Sequence, residues 1–164
     1  MKRFSQIAYS KDTKTLDVGA GLTWGDIYKF LSTPEYRELG VVGGDPLVGV
    51  SGWLLGGGYS LLTNKHGLGM DNVVGFQVQL PPKATPHLQV LPSDTTFCNV
   101  NPRENPDLFK ALKVWPSYRC NMALLLIFFV QGGGHNFGIV TRFTLQTYMG
   151  DARVSFRIAL VDSH

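Results

Sequence analysis

One stretch of the sequence decides the fold prediction: Leu47-Val48-Gly49-Val50-Ser51-Gly52-Trp53-Leu54-Leu55-Gly56-Gly57-Gly58-Tyr59-Ser60, in which five of the fourteen residues are glycine. Glycine is costly in conformational entropy, so a cluster of this density needs a reason. One interpretation is tight turns and close packing of the backbone. The other is a ligand that lies directly on the backbone, where N–H groups can reach phosphate or ring oxygens. The residues alone leave both interpretations open.

Two common nucleotide-binding motifs are missing from the sequence. No Gly-Lys-Ser or Gly-Lys-Thr follows the glycines, which excludes a P-loop. The G-x-G-x-x-G fingerprint of a Rossmann site does not occur either. The nearest approaches to it are each one residue too long, and they are Gly19, Gly21 and Gly25, and Gly132, Gly134 and Gly138. A ligand on the glycine stretch would therefore be bound in another way.

The residues before the glycine stretch predict a strand followed by a helix. Residues 15–21 read as a short strand, and Thr23 with Asp26 has the spacing of a capping box that begins a helix. Pro34 marks the end of that helix. Its apolar residues lie at i, i+3, i+4 and i+7 and form one stripe: Trp24, Ile27, Tyr28 and Leu31.

The residues after the stretch predict two further strands and a helix. A turn at Asp71-Asn72 opens the first strand, and alternation predicts that these residues face inward: Val74, Phe76, Val78 and Leu80. In 137–148 the residues expected to face inward are Ile139, Phe143 and Leu145. Asn105-Pro106 begins a helix that ends near Lys113 and buries Leu108, Phe109 and Leu112. This order predicts an α+β fold, with an antiparallel or mixed sheet flanked by helices.

The composition of the 164 residues limits the class of protein. With 44% hydrophobic residues the chain can bury one sizeable core, which predicts one globular domain or a large fragment of one. The net charge of +3 is spread without a dense basic run, which argues against a nucleic-acid partner. The longest apolar run, 122–130, is far shorter than the ~20 residues of a membrane-spanning helix, and residues 1–10 do not form a secretory signal. The localisation therefore stays open. Cys98 and Cys120 match no metal or redox spacing, so no metal ligand is nominated.

Several segments in a fixed order resemble the flavin-binding signature of a known family. The glycine stretch is followed by Gly67-Leu68-Gly69-Met70-Asp71-Asn72-Val73. Upstream lies Val18-Gly19-Ala20-Gly21-Leu22-Thr23-Trp24-Gly25-Asp26, and downstream lie Asn105-Pro106-Asp107-Leu108-Phe109 and Gly132-Gly133-Gly134-His135-Asn136-Phe137-Gly138-Ile139-Val140-Thr141. These segments cover most of the chain. In order and spacing the chain resembles the FAD-linked oxidoreductases of the p-cresol methylhydroxylase (PCMH), vanillyl-alcohol oxidase and berberine-bridge-enzyme type.

The resemblance implies a fold, a cofactor and a set of contact residues. The fold is that of the second subdomain of a PCMH-type FAD-binding domain, and the cofactor is FAD, approached mainly by backbone atoms. Lone histidines such as His66 and His135 are interpreted as ordinary polar or packed residues. The residues that the resemblance assigns to FAD binding are Val48, Gly49, Val50, Gly52, Gly56, Gly57, Gly58, Tyr59, Ser60, Gly67, Asp71, Asn72, Val73, Gly138, Ile139 and Val140.

The chain departs from the family pattern at both ends and at one internal residue. The family's first flavin subdomain is expected before Met1, and the substrate domain with its catalytic base is expected after His164. Residues 1–164 are therefore interpreted as a single partial FAD-binding domain, in which no catalytic residue can be nominated. In the family, a histidine of the first flavin subdomain often carries a covalent bond to the flavin, and some members make a second bond through a cysteine just before the proline of the glycine segment. Here Asp45 precedes Pro46, so that second covalent bond is not expected.

Two segments have no counterpart in the family pattern, residues 81–94 and 114–131, and both are interpreted as insertions. The second begins with Val114 and ends with Gln131. Valine codons begin with GT and one glutamine codon ends with AG, which are the boundaries of an intron, so a retained intron is one hypothesis. The alternative is a genuine surface insertion.

Three functions are compatible with these features. The first is FAD binding within an oxidoreductase that takes a hydride from an alcohol or amine carbon of a small-molecule substrate and passes electrons to oxygen. The second is an inactive, truncated or misannotated product that binds no flavin tightly. The third, a phosphate- or nucleotide-binding module, is disfavoured because the P-loop lysine is missing. The sequence indicates neither the substrate nor the electron acceptor.

Overall fold

The computed structural model describes residues 3–79, 97–113 and 138–150. The predicted insertions at 81–94 and 114–131 lie outside these residues, as do Cys120 and His135. In the part of the chain that is described, no helix has the length and apolar character needed to cross a membrane.

Short strands and helices alternate along the described chain. The strands are β1 (Ile7–Ser10), β2 (Thr15–Gly19), β3 (Leu39–Gly40), β4 (Val73–Gln79), β5 (Phe97–Val100), β6 (Ile139–Gln146) and β7 (Tyr148–Met149). The helices are α1 (Trp24–Leu31), α2 (Val50–Leu55), α3 (Thr63–His66) and α4 (Pro106–Lys113), and a 3-10 helix spans Gly69–Asn72. The predicted fold class is confirmed, because an antiparallel sheet is combined with a few helices.

Five strands form the main sheet in the order β1-β2-β6-β4-β5, and all of their pairings are antiparallel. Side chains of directly paired residues point to the same face of a sheet. One such row crosses all five strands on the core side: Ile7, Val18, Phe143, Phe76 and Val100. The opposite face is polar, and there the Thr144 hydroxyl lies 2.6 Å from Asp17 Oδ1. The core therefore lies on one side of the sheet.

A bulge at the start of β4 changes which valine faces the core. The register pairs Val73 with Leu145 and then Gly75 with Thr144, so β4 carries one extra residue at this point. Val74, which the alternation predicted to face inward, is only partly buried, and that prediction is wrong. Val73 is fully buried instead.

A second bulge changes the start of β6 in the same way. The register pairs Gln77 with Arg142 and then Val78 with Val140, so here the extra residue lies in β6. Val140 consequently faces inward and is 4% exposed. Ile139 was predicted to face inward, but it is 53% exposed, and that prediction is wrong.

The two predicted helices begin and end as expected. At α1 the Thr23 side chain accepts a hydrogen bond from the Asp26 N–H, and Asp26 Oδ2 accepts one from the Thr23 N–H at 3.0 Å, which completes a capping box. The buried residues of this helix are Trp24, Ile27 and Leu31. Helix α4 begins at Pro106 and ends at Lys113, and it buries Leu108 and Leu112. The bounds of both helices are confirmed, whereas Phe109, which was also predicted to be buried, is only partly buried.

Candidate functional site

Three glycines pack against the indole of Trp53, a residue of α2. A Cβ atom built on Gly44, Gly58 or Gly69 would lie 2.7, 2.6 or 2.2 Å from the nearest indole atom. Real Cβ atoms do not approach other atoms so closely, so these glycines leave room for the ring. The indole also makes an edge contact with the Trp24 ring, with 4.9 Å between the centroids. Close packing therefore explains these three glycines.

Three other glycines form a face of α2 without side chains, which we call the glycine face. Gly49, Gly52 and Gly56 are spaced i, i+3 and i+7, so they lie on one side of the helix, and all three are exposed. A Cβ atom on Gly49 or Gly52 would meet no atom of the described chain within 4 Å. The φ angle of Gly49 is −69°, a value that any residue adopts. In the described part of the chain, no packing contact requires glycine at these two positions, although Gly49 is also the N-cap of α2, where glycine is favoured.

The glycine face ends in a turn whose geometry requires glycine. Gly57 and Gly58 have φ angles of 103° and 76°, in the left-handed region. The Met70 N–H donates to the Gly57 carbonyl oxygen at 3.0 Å, and the Gly69 N–H donates to the Gly58 carbonyl oxygen at 2.7 Å. These bonds hold the segment Gly67–Val73, which we call the arm, against the glycine turn.

The other end of the glycine face lies against the turn 19–22. The Ser51 hydroxyl donates to the Ala20 carbonyl oxygen at 2.8 Å. The Ala20 N–H in turn donates to the Thr141 carbonyl oxygen at 2.9 Å. Because Thr141 follows Val140 in β6, this turn connects the start of β6 to the first residues of α2.

The predicted FAD-binding segments are thus arranged along α2. The order is the start of β6, the turn 19–22, the glycine face, the glycine turn and the arm. The structure does not bring Gly138–Val140 into contact with the arm, because Val140 pairs with Val78 while the arm ends at Val73. The separation along β4 is about 17 Å at about 3.3 Å per residue. A ligand that touches both ends must be elongated.

Sequence reasoning did not nominate two parts of this arrangement, Ser51 and the turn 19–22. The signal for them was present, since the segment Val18–Asp26 was part of the family resemblance. The sequence could not indicate that Ala20 links α2 to β6. Its carbonyl oxygen accepts from Ser51 of α2, and its N–H donates to Thr141 of β6.

The predicted contact residues differ in what they can offer to a ligand. Four are buried as whole residues, backbone included, so they offer little or no surface to a ligand, and these are Val50, Asn72, Val73 and Val140. Three present apolar or aromatic side chains to the surface, and these are Val48, Tyr59 and Ile139, exposed by 39, 73 and 53%. Seven are glycines. The side chains of Ser60 and Asp71 accept hydrogen bonds from the N–H groups of Leu62 and Leu68.

A cleft of about 910 Å³ opens beside Tyr59 and Ser60. Its walls are α1 with the residues that follow it, the segment 39–46 and the segment 59–62. In its wall the Tyr28 hydroxyl donates to the Gly44 carbonyl oxygen at 2.6 Å. Burial, assisted by the negative charge of Asp45, raises the pKa of Tyr28 to about 12, so the phenol stays protonated at neutral pH.

Comparison with protein families and curated proteins points to one cofactor. Residues 1–85, more than half of the chain, match the family described as an FAD binding domain. The FAD-dependent monooxygenase yanF of Aspergillus niger is 36% identical over 151 residues, which are 92% of this chain and 20% of that protein. The FAD-dependent monooxygenase prx3 of Penicillium roqueforti is 38% identical over 146 residues, which are 88% of this chain and 22% of that protein. The chain thus spans about a fifth of the length of these relatives.

Solved structures share the fold. The 6-hydroxy-D-nicotine oxidase of Arthrobacter nicotinovorans has a TM-score of 0.65 and 26% identity, over 91% of this chain and 26% of that one. The xylooligosaccharide oxidase of Myceliophthora thermophila, solved with xylobiose, has a TM-score of 0.64 and 26% identity, over 90% of this chain and 24% of that one. The chain therefore belongs to the FAD-binding domain family of the PCMH and berberine-bridge-enzyme-like oxidoreductases.

Proposed function

We propose that this chain binds FAD noncovalently along the glycine face, as part of an FAD-dependent oxidoreductase. The observation that supports the proposal is that Gly49 and Gly52 present bare backbone to open space, where no contact in the described chain needs a glycine. The family match supports FAD as the ligand on independent grounds.

The residues around the glycine face suit the different parts of a flavin nucleotide. FAD needs N–H donors for its pyrophosphate and ring carbonyls and a dry, flat slot for its ring. Bare backbone can approach polar oxygens directly, and exposed Val48, Tyr59 and Ile139 can cover apolar surface. The arrangement along α2 is elongated, as a dinucleotide is. We therefore propose all sixteen predicted residues as the FAD site, in which the buried members, among them Val50, Asn72, Val73 and Val140, shape the surface from within and the exposed members contact the cofactor.

The complete enzyme is proposed to remove a hydride from an alcohol or amine carbon of a small-molecule substrate and to return the electrons to oxygen. Bound FAD supplies the hydride-accepting chemistry. The proposal is supported by the names of two structural neighbours, which are oxidases, while the curated relatives are named FAD-dependent monooxygenases. The residues of this chain bind and orient the cofactor, and none of them is proposed as a catalytic residue.

The visible absorption spectrum of the purified chain, recorded before and after addition of FAD, tests the proposal. Flavin bands that remain with the protein on gel filtration and are released by acid precipitation would support noncovalent binding. Colour that stays in the acid pellet would contradict the noncovalent part. A chain that elutes from gel filtration without flavin bands, even after incubation at high FAD concentration, would contradict the proposal and favour the inactive product.

A further inference from the structure

We infer that Lys113 is a positioning residue, which holds the arm Gly67–Val73 against the glycine turn Gly57–Gly58. The inference rests on the proposed FAD site, because it assigns Lys113 a part in shaping that site. Lys113 is the last residue of α4 and lies 40 residues beyond Val73 in the sequence. Sequence analysis indicated it only as a helix end.

The ammonium group of Lys113 is used to bind backbone of the arm. Its Nζ donates to the carbonyl oxygen of Val73 at 2.9 Å and to that of Asp71 at 3.2 Å. The ring of Phe109 lies 5.2 Å from the same nitrogen. Lysine usually keeps its ammonium in water, but this side chain is half-buried, and burial lowers the pKa of Lys113 while the Asp71 carboxylate partly offsets the shift. The charge is therefore directed at the two carbonyl oxygens that flank Asn72.

A second set of contacts fixes the arm through the side chain of Asn72. The Tyr148 hydroxyl donates to Asn72 Oδ1, and the Tyr148 ring stacks on the His66 ring with 3.8 Å between the centroids. Asn72 Nδ2 donates to the carbonyl oxygens of His66 at 3.0 Å and Leu68 at 2.7 Å. The side chain of Asn72 is thus fully engaged within the protein. It therefore shapes the arm and is not available to a ligand.

The arm transmits this restraint to the glycine turn. Gly57 and Gly58 have no side chains that could fix their peptide planes, and their left-handed φ angles are open to few other residues. Their carbonyl oxygens are instead held by the N–H groups of Met70 and Gly69. If Lys113 no longer held the end of the arm, these two bonds would open more often and the turn would lose its geometry.

The main test compares Lys113→Met with Lys110→Met, in which an exposed lysine one turn earlier on α4 is removed instead. Both variants lose one positive charge, but only the first loses the bonds to the arm. Native-state hydrogen exchange followed by NMR is expected to show exchange at the Gly69 and Met70 amides rising about tenfold in Lys113→Met. Exchange at Val18 and Phe143, in the centre of the sheet, is expected to stay unchanged in both variants.

Two milder variants keep the test decisive if Lys113→Met does not fold. Lys113→Arg retains donors that can reach both carbonyl oxygens, so exchange at Gly69 and Met70 is expected to stay close to that of the unmodified chain. Tyr148→Phe keeps the aromatic ring and removes the hydroxyl bond to Asn72, so exchange at the same two amides is expected to increase.

Titration with FAD separates the failure of this inference from the failure of the proposed function. A dissociation constant about tenfold higher for Lys113→Met than for Lys110→Met would support the positioning role. Faster exchange with unchanged FAD affinity would overturn that role while the proposed function stands. Equal exchange at Gly69 and Met70 in the two variants would overturn the inference whatever the affinity. If the unmodified chain bound no FAD, the proposed function and the positioning role would both fail.

Discussion

Glycines packed against Trp53 and glycines of the glycine face should respond in opposite ways to substitution by alanine. In Gly69→Ala the new Cβ would lie 2.2 Å from Trp53 Cζ3, and the indole has Gly44 and Gly58 closely packed against it, so it has little room to move. Overpacking of this kind costs about 1–3 kcal/mol, and the free energy of unfolding should fall by that amount. In Gly52→Ala the new Cβ meets nothing within 4 Å. Alanine also favours the helix, so the free energy of unfolding should rise by about 0.5–1 kcal/mol.

In Gly52→Ala, FAD affinity and stability should change in opposite senses. The Cβ of Gly52→Ala projects into the space that we propose for the cofactor, so its FAD affinity should fall about tenfold or more although the protein is more stable. Urea unfolding followed by circular dichroism gives the stabilities, and quenching of flavin fluorescence gives the affinities. The combination Trp53→Leu with Gly69→Ala is the control, because a smaller side chain at 53 should relieve the clash and make the two effects non-additive. Unchanged FAD affinity in Gly52→Ala would refute the glycine face as the cofactor surface, and unchanged stability in Gly69→Ala would refute the packing argument.

Three further outcomes follow from α1 and the cleft. Thr23→Ala removes the capping side chain and should lower the free energy of unfolding by about 1 kcal/mol in chemical denaturation. Hydrogen bonds from the Thr23 backbone and side chain hold the pKa of Asp26 below its ordinary value of 3.8. The stabilisation by Asp26 should therefore be complete above pH 3.8 and be lost as the pH falls through the lowered pKa, and Asp26→Asn should abolish this acid dependence in unfolding measured against pH. Because the pKa of Tyr28 is raised to about 12, its contribution to stability should be present below pH 10 and disappear as the pH rises through 12. Ultraviolet titration of the unmodified chain and of Tyr28→Phe measures this, and a phenol at position 28 that ionises near pH 10 would contradict it.

Signals that act within one helical turn were sufficient to predict parts of the fold. Thr23 and Asp26 bind each other's backbone, so the capping box could be predicted from four residues. Pro106 similarly marks the first residue of α4. Such contacts do not depend on the rest of the protein, and these predictions are confirmed.

Predictions failed where two distant segments decide the outcome. Val74 and Ile139 lie at bulges, and a bulge is a property of the pairing between β4 and β6, which neither strand shows alone. The glycines pose the same difficulty. Gly52 and Gly69 are indistinguishable in the sequence, and they differ only in what a Cβ atom would meet after folding. The predicted FAD contacts remain proposals, because proximity to a ligand is likewise a property of the folded chain.

The glycines around Trp53 also restrict the order in which this site can change during evolution. Alanine at position 69 is unfavourable as long as the indole is present, because the Cβ would overlap the ring. A smaller residue at position 53 would relieve the overlap, but it would leave a cavity that costs about 3–5 kcal/mol in the extreme case of alanine. Either first step lowers stability, so the route between two well-packed combinations crosses a less stable intermediate. We therefore expect positions 53 and 69 to change together or not at all.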